Sequence, residues 1–461
     1  MTGGFAKTET TRIFILLKYS KGMTRKESSL THYNNMLKNI TSLILASLVG
    51  GLSAENERLN VILIMADDLG YETIAANGGE SYKPPNIDRM ASQGVRFEHC
   101  YAQPVCTASR VKIMTGLSNV RNYTRFGNLD REQKTFAHYF KDAGYATAIA
   151  GKWQLGNQDD SPQHFGFDEA LLWQHQLERW REGTQHDSRF ENPVLEYNGE
   201  PRYFHDGEYG PDVLTDYVCE FITRKKDQPF LAYYPMVLAH CPFVPTPDCV
   251  DWDPTSKGSL TYVGDTKYFG AMVTYMDKLV GRIVDHVESL GIADQTVILF
   301  TGDNGTDKPV TSRFMGREVK GGKKTTKDAG TRVPLIAYNP ALIRPQVSKG
   351  LVDFSDFLPT LCDIGGIEVA PGLDGHSFWP HLRGEQGTKR EWVYCWYSPS
   401  GKAKSARVFA RTERYKLYST GEFYDIETDV NEKQAMKVLS LEQEQIQKKL
   451  SGVIQAYAQY R

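Results

Sequence analysis

The chain has 461 residues, of which 40% are apolar, 24% charged and 11% aromatic. That composition excludes a disordered or fibrous chain, and the length allows two or three domains whose cores need no disulfide or metal staple. Lys and Arg number 54 against 56 Asp and Glu, a formal charge of -2, so no net field holds nucleic acid or an anionic membrane and anion recognition must be local.

In chain order, residues 1–35 are basic and patternless and read as an upstream extension. Met36 to Ala54 (MLKNITSLILASLVGGLSA) places Lys38 before an apolar stretch from Ile40 to Val49, then small residues. This is too short to span a bilayer and has the pattern of a cleavable signal peptide, the alternative being an N-terminal helix. The expectation is a mature chain from about Glu55, exported to the periplasm or outside the cell, with no stable membrane span. The seven cysteines include no CxxC pair of a zinc site; in an exported chain the odd count leaves one thiol unpaired or modified, expected at Cys106.

From Leu59 to about Pro340, apolar strands alternate with amphipathic helices. Asn60 to Ala66 (NVILIMA) is nearly continuous and apolar, as a strand covered on both faces is. Asn86 caps a helix to Gln93, and Thr135 to Ala143 is a second helix before the strand Tyr145 to Ala150. Pro211 opens a helix through Thr223, followed by the strand Phe230 to Met236. Phe269, Met272, Met276, Leu279, Val280, Ile283 and Val287 recur at helical spacing, followed by strands Thr296 to Thr301 and Val333 to Tyr338. After about Leu373 the rhythm becomes that of hairpins: Glu391 to Tyr397, Ala406 to Thr412, Arg414 to Ser419 and Glu422 to Ile426, closed by a helix that Ser440 and Gln443 cap. The predicted fold is α/β, a large mostly parallel sheet flanked by helices, with a smaller C-terminal antiparallel sheet plus helix. The main domain is expected over 55–375 and the smaller one over 376–461.

Ligands in open α/β sheets collect at the carboxyl ends of strands. Two strands here end in oxygen-rich clusters, Asp67-Asp68 and Asp303-Asn304. Such donors suit calcium or magnesium and disfavour zinc, while the plainer readings are a helix cap and a tight turn. A second constellation, Cys106-Thr107-Ala108-Ser109-Arg110, follows Pro104 and can start a helix, placing residue 106 where backbone N–H groups favour an anion.

With these segments in view, the chain resembles the type I, formylglycine-dependent sulfatases of the alkaline phosphatase superfamily. The resemblance is carried by PPNIDRMASQGVRFEHCYAQPVCTASRVKIMTG from residue 84, VILIMADDLG (61–70), GYATAIAGKWQLG (144–156), AHCPF (239–243), VILFTGDNG (297–305), GGKKTTKDAGTRVPLI (321–336) and GEFYDIETD (421–429). It implies that a maturase oxidises Cys106 to formylglycine, whose hydrate is the nucleophile, and that Asp67, Asp68, Asp303 and Asn304 hold one calcium. Arg110 would orient residue 106, Lys152 and Lys323 would contact sulfate oxygens, and His240 would protonate the leaving alcohol. Attack on a sulfate monoester builds negative charge on its oxygens, which is why a dication and several fixed cations are needed. Of the two hydroxyls of a hydrated aldehyde, one attacks sulfur and the other expels sulfate by re-forming the aldehyde.

Two positions depart from the family pattern. The GKWH run leads one to expect His where this chain has Gln154, which cannot take a proton at neutral pH, so His164, His175 or water would have to serve. Ala108 stands where many relatives have proline, a variant that the anaerobic radical maturase tolerates in related proteins. Substrate contacts are expected from Gln154 and from the Trp173 to Arg189 segment through Trp173, His175, Arg179 and Arg181, since aromatics and cations together hold sulfated sugars; loop packing is the alternative. The predicted activity is hydrolysis of sulfate monoesters on a sulfated carbohydrate. The alternatives are a phosphonate or phosphate ester hydrolase of the same superfamily and a non-catalytic glycan-binding relative.

Overall fold

In the computed structural model, which describes residues 58–156, 158–173, 189–259 and 261–460, the strand Asn60–Ala66 is buried along its whole length. Its side chains alternate between two cores: Val61, Leu63 and Met65 face one, Ile62, Ile64 and Ala66 the other. A run apolar at every position is what such a two-sided strand requires. Thr296–Gly302 and Phe230–Pro235 flank it in parallel, and Ala146–Lys152 and Glu169–Trp173 continue the parallel centre.

Toward its margins the sheet changes direction. Leu335–Tyr338 runs antiparallel to Thr296–Gly302, and Val194–Tyr197 runs antiparallel to Glu169–Trp173 and to the edge strand Glu200–Tyr203. At the other margin Val95–Tyr101 pairs antiparallel with Arg332–Val333 and Leu335–Tyr338, and parallel with Gln346–Asp353. The eleven-stranded sheet is therefore mixed, with the expected parallel order continuous only through its centre. At the far edge connection length explains the direction: only Asn198 and Gly199 separate Val194–Tyr197 from Glu200–Tyr203, a hairpin link too short for a crossover helix.

The helix after Tyr82 begins at Pro85, one residue before the expected cap. Asn86 instead donates through its side chain to Asp277 Oδ2 at 2.8 Å. The backbone N–H groups of Asn86 and Ile87 bond the same carboxylate at 3.1 and 2.8 Å, so the cap comes from the Phe269–Ser289 helix.

The small antiparallel sheet forms as expected, with Val393–Tyr397, Arg407–Arg411, Tyr415–Tyr418 and Phe423–Asp425 in order, covered by the helix Leu441–Ala458 through Leu450. It is not a separate body: Leu59–Arg461 is one compact unit, and the 375/376 boundary marks a change of sheet. Tyr394, Cys395, Trp396, Tyr397 and Phe409 pack into the same core as Val61 and Leu63. Lys112, buried on the Cys106–Thr115 helix, bonds Asp353 at 2.7 Å and the Tyr394 carbonyl at 3.0 Å.

All seven cysteines are free, so Cys106 is not the one unpaired thiol among bonded ones. Cys100 packs in a strand and Cys362 in a helix, both buried. Residues 1–35 and the expected signal peptide at 36–54 lie outside the described residues. Among the described residues no helix is long and apolar enough to cross a membrane.

Candidate active site

The register of the central strands builds the site. Ala66 lies opposite Gly302, so the chain leaves both strands together and sets Asp67 and Asp68 beside Asp303 and Asn304. The Asp303 N–H bonds the Ala66 carbonyl at 2.9 Å, and the Asp68 N–H bonds Asp303 Oδ1 at 3.0 Å. The Asn304 amide donates to Asp68 Oδ1 at 2.8 Å. All four expected metal ligands thus converge and are buried. Asp67, Asp68 and His240 also each bring a ligand atom within 4.8 Å of one another, with His240 carried on the segment after Phe230–Pro235.

The cations close around these acids. Lys152, last in its strand, places Nζ 2.7 Å from Asp67 Oδ2, and the Lys323 ammonium contacts Asp68 Oδ2. Arg110 donates to the Lys152 carbonyl at 2.8 Å and lies 3.5 Å from Asp303 Oδ2. Burial and then the charge of Asp67 push the Asp303 carboxyl up to about 8, against the pull of Arg110. Burial raises Asp67 too, but the charges of Lys152, Arg110 and Lys323 outweigh it and hold that carboxyl well below its usual range.

This arrangement fits a hard cation. Among the described residues, the buried Oδ1 atoms of Asp67 and Asn304 have no hydrogen-bond partner, a costly condition for an acceptor that a cation would remove. The oxygen-only donor set of the four residues suits calcium over zinc.

Cys106 starts the Cys106–Thr115 helix, every residue of which is buried. Its Sγ donates to Gln154 Oε1 at 2.9 Å, so the one residue that departs from the expected pattern faces the expected nucleophile. Burial pushes the Cys106 thiol up, with Lys152 only partly opposing, which leaves the sulfur a protonated donor and a poor nucleophile in its own right. Ser109, one turn on, holds the preceding loop by accepting from the Gln103 N–H at 3.0 Å.

His240 lies between two cations. Its Nε2 is 3.0 Å from Lys323 Nζ, and its Nδ1 is 2.8 Å from Arg189 and also contacts the Cys241 carbonyl. Burial drives the imidazole well below its ordinary pKa, so it is neutral.

Of the expected substrate contacts, His175, Arg179 and Arg181 lie outside the described residues. Trp173 is only 3% exposed, and the Arg189 guanidinium lies 4.0 Å from its ring centroid. Trp173 therefore meets the site through Arg189 instead of offering that face to a sugar. His164 bonds the Arg131 carbonyl through Nε2 at 2.8 Å. Two residues that the sequence reading passed over stand at the site. Arg189 ends the Trp- and Arg-rich segment, which was the available signal. Tyr262, 65% exposed and edge-on to His240 at 6.2 Å between ring centroids, carries no such signal.

The sequence profile described as Sulfatase matches residues 59–367, and one described as N-sulphoglucosamine sulphohydrolase, C-terminal matches residues 322–459. The chain belongs to the sulfatase family. It is a sulfatase, an enzyme that hydrolyses sulfuric esters. Human arylsulfatase A is 30% identical over 416 residues, which cover 82% of this sulfatase and 77% of the human protein. N-acetylglucosamine-6-O-sulfatase of Bacteroides thetaiotaomicron is 25% identical, covering 87% and 86% of the two chains. A structure solved in complex with its substrate D-glucosamine-2-N,6-O-disulfate superposes with a TM-score of 0.69 at 22% identity, covering 87% of this chain and 98% of that one. The last of these supports the fold of this sulfatase.

Proposed function

We propose that this sulfatase removes sulfate from a saccharide, using Cys106 after its oxidation to formylglycine and a calcium ion held by Asp67, Asp68, Asp303 and Asn304. The observation that carries the reading is the convergence of Cys106, Arg110, Lys152, His240 and Lys323 on those four oxygen donors at the carboxyl ends of the parallel strands. Once formed, the hydrated formylglycine supplies a hydroxyl nucleophile that a neutral thiol does not. Calcium supplies positive charge where the sulfuryl oxygens become more negative.

The chain's own groups do the rest. Lys152 and Lys323 are buried, so their charges act on sulfate oxygens through little water and stabilise the transition state more than they would at a surface. Arg110, tied to the Lys152 carbonyl, fixes the first turn of the Cys106 helix against that lysine. His240 directs a ring nitrogen to the side of Lys323, where it meets the leaving oxygen of the sugar. Gln154 offers residue 106 a hydrogen-bond acceptor that cannot take up a proton.

A saccharide is the favoured substrate because an N-acetylglucosamine-6-O-sulfatase is among the relatives and because Tyr262 exposes an aromatic face beside His240. Export through the 36–54 segment would place the enzyme with extracellular glycans, and a maturase would be its partner before use. Turnover of matured protein on 4-nitrophenyl sulfate and 4-nitrophenyl phosphate, followed by a panel of sulfated saccharides, tests the reading. Sulfate release from at least one saccharide and a clear preference for the sulfate over the phosphate ester are expected. Preference for the phosphate ester would overturn it. N-terminal sequencing of the native protein should begin near Glu55, and an intact Met1 would contradict export.

A further inference from the structure

We infer that Arg407 selects the substrate by holding a second anionic group, a sulfate or a carboxylate, on the saccharide whose scissile sulfate reaches Cys106. The inference rests on the proposal that the substrate is a saccharide sulfate. Arg407 opens the strand Arg407–Arg411 of the small sheet, is exposed, and among the described residues makes no ion pair with a carboxylate. An exposed arginine is ordinary in itself. What sets this one apart is the face it stands on.

Arg407 lies directly opposite Tyr397 in the antiparallel ladder, so both side chains leave the same face of the small sheet. Cys395 shares that face by the alternation of its strand, and its Sγ lies 3.2 Å from the side-chain amide of Gln103, three residues before Cys106. The face is thus turned to the segment that delivers the nucleophile. Burial, then the thiols of Cys395 and Cys106, push the Tyr397 hydroxyl up to about 12, while the charges of Arg407 and Lys323 oppose them. One buried tyrosine therefore adjoins Cys106, Lys323 and Arg407 together.

Arg407 also lines a hollow of about 370 Å³ with Thr325, Thr326, Lys327, Tyr418 and Thr420. Here the small sheet meets the loop of Lys323: the Lys324 N–H bonds the Pro104 carbonyl at 2.7 Å, and Thr326 Oγ1 lies 3.0 Å from the Tyr418 hydroxyl. Two residues of chain span about 7 Å at most, so the wall at Thr325 stands close to Lys323. The carboxylates of the hollow are committed, Glu432 to Lys416 at 2.7 Å and to the Tyr418 hydroxyl, and Glu422 to the Thr420 hydroxyl. Lys327 Nζ is bonded to the Asn431 carbonyl at 2.6 Å. Among the described residues of this hollow, Arg407 is the cation whose donors remain open. Its planar fork matches two oxygens of a sulfate or a carboxylate, and hydroxyls beside it suit a sugar. With a formal charge of -2 the chain has no general field for anions, so a second anion is selected here or not at all. Such a contact is made equally before and during the reaction, so it acts on KM.

The test compares three saccharides built on a 6-sulfated hexosamine, the sugar class named for two of the relatives. They are the monosulfate, the same sugar with a second sulfate, and a disaccharide that adds a uronic acid carboxylate, each in gluco and galacto form. Matured wild type should favour one of the doubly charged substrates by about 10-fold in kcat/KM, mainly through KM, and which one it favours names the anion. Sodium chloride at about 0.5 M should shrink the preference, because an exposed pair is screened. Arg407→Gln should remove most of it and Arg407→Lys keep part of it. No preference for a second anion in either series, or a preference that survives Arg407→Gln, would overturn the inference. The wild-type comparison needs no variant to fold. Titration calorimetry of Cys106→Ala, which lacks the nucleophile, with the same saccharides separates the two claims. Tighter binding of a doubly charged saccharide that Arg407→Gln abolishes, with no hydrolysis by the matured enzyme, would sink the functional reading and leave the role of Arg407 standing. Hydrolysis without that difference would do the reverse.

Discussion

The side-chain oxygen of Gln154 accepts a hydrogen bond from the sulfur of Cys106 at 2.9 Å. A proton acceptor at this place would help release sulfate, and glutamine cannot be one. Release of the leaving alcohol should therefore run ahead of release of sulfate, with a burst of nitrophenol before steady state. Gln154→His should speed the slow phase by at least about 10-fold. Position 154 has φ 55°, a region in which His is among the tolerated side chains, so the variant should fold. Rapid-quench measurement of both products checks this, and the absence of a burst with no gain from Gln154→His would assign the base elsewhere.

The parallel centre of the sheet and the site at its strand ends were legible in the sequence because each signal was local. Asn60 to Ala66 is apolar at every position, and the acids follow at once. The margins were less legible. Val95–Tyr101 alternates weakly and is identified as a strand by partners more than 200 residues away. Asp277 as a helix cap, Arg189 on Trp173 and Tyr262 beside His240 all depend on long-range packing that no spacing encodes.

Calcium should stabilise the fold as well as serve the reaction, because the acids crowd one another without it. Burial raises Asp68 and Asp303, with Asp67 adding to both. Treatment with EGTA should lower the melting temperature, and re-addition of calcium should restore it. At 100 times Kd the gain is about 2.7 kcal/mol. Asp67→Asn and Asn304→Ala should blunt the response in differential scanning fluorimetry, and an unchanged response in both would place calcium outside this cluster.

The Lys112–Asp353 pair ties the Cys106 helix to the far side of the core and contacts the small sheet. Burial raises the Asp353 carboxyl, but Lys112 and Arg390 outweigh it and the net shift is downward. A depressed carboxyl contributes stability that is full above its unfolded pKa of about 3.9 and is lost as pH falls through the folded value. Asp353→Asn should flatten the acid limb of the stability profile below about pH 4. Lys112→Met, which leaves a buried carboxylate without its partner, should cost about 3–5 kcal/mol in urea unfolding. A loss under about 1 kcal/mol would show that the pair behaves as an exposed one.

Tyr262 stands exposed beside the histidine that faces the leaving group. Tyr262→Ala should raise KM for a saccharide sulfate about 5-fold, the value of one aromatic contact, with kcat nearly unchanged and Tyr262→Trp close to wild type. Equal KM values for all three proteins on the best saccharide would remove Tyr262 from the binding surface.

Mass spectrometry of the peptide containing Cys106, from protein co-expressed with a maturase, tests the nucleophile most directly. Residue 106 should have lost its sulfur and gained an aldehyde, the modified fraction should rise in step with specific activity, and Cys106→Ala should be inactive. An active preparation whose Cys106 remains a thiol, or full activity in Cys106→Ala, would contradict it.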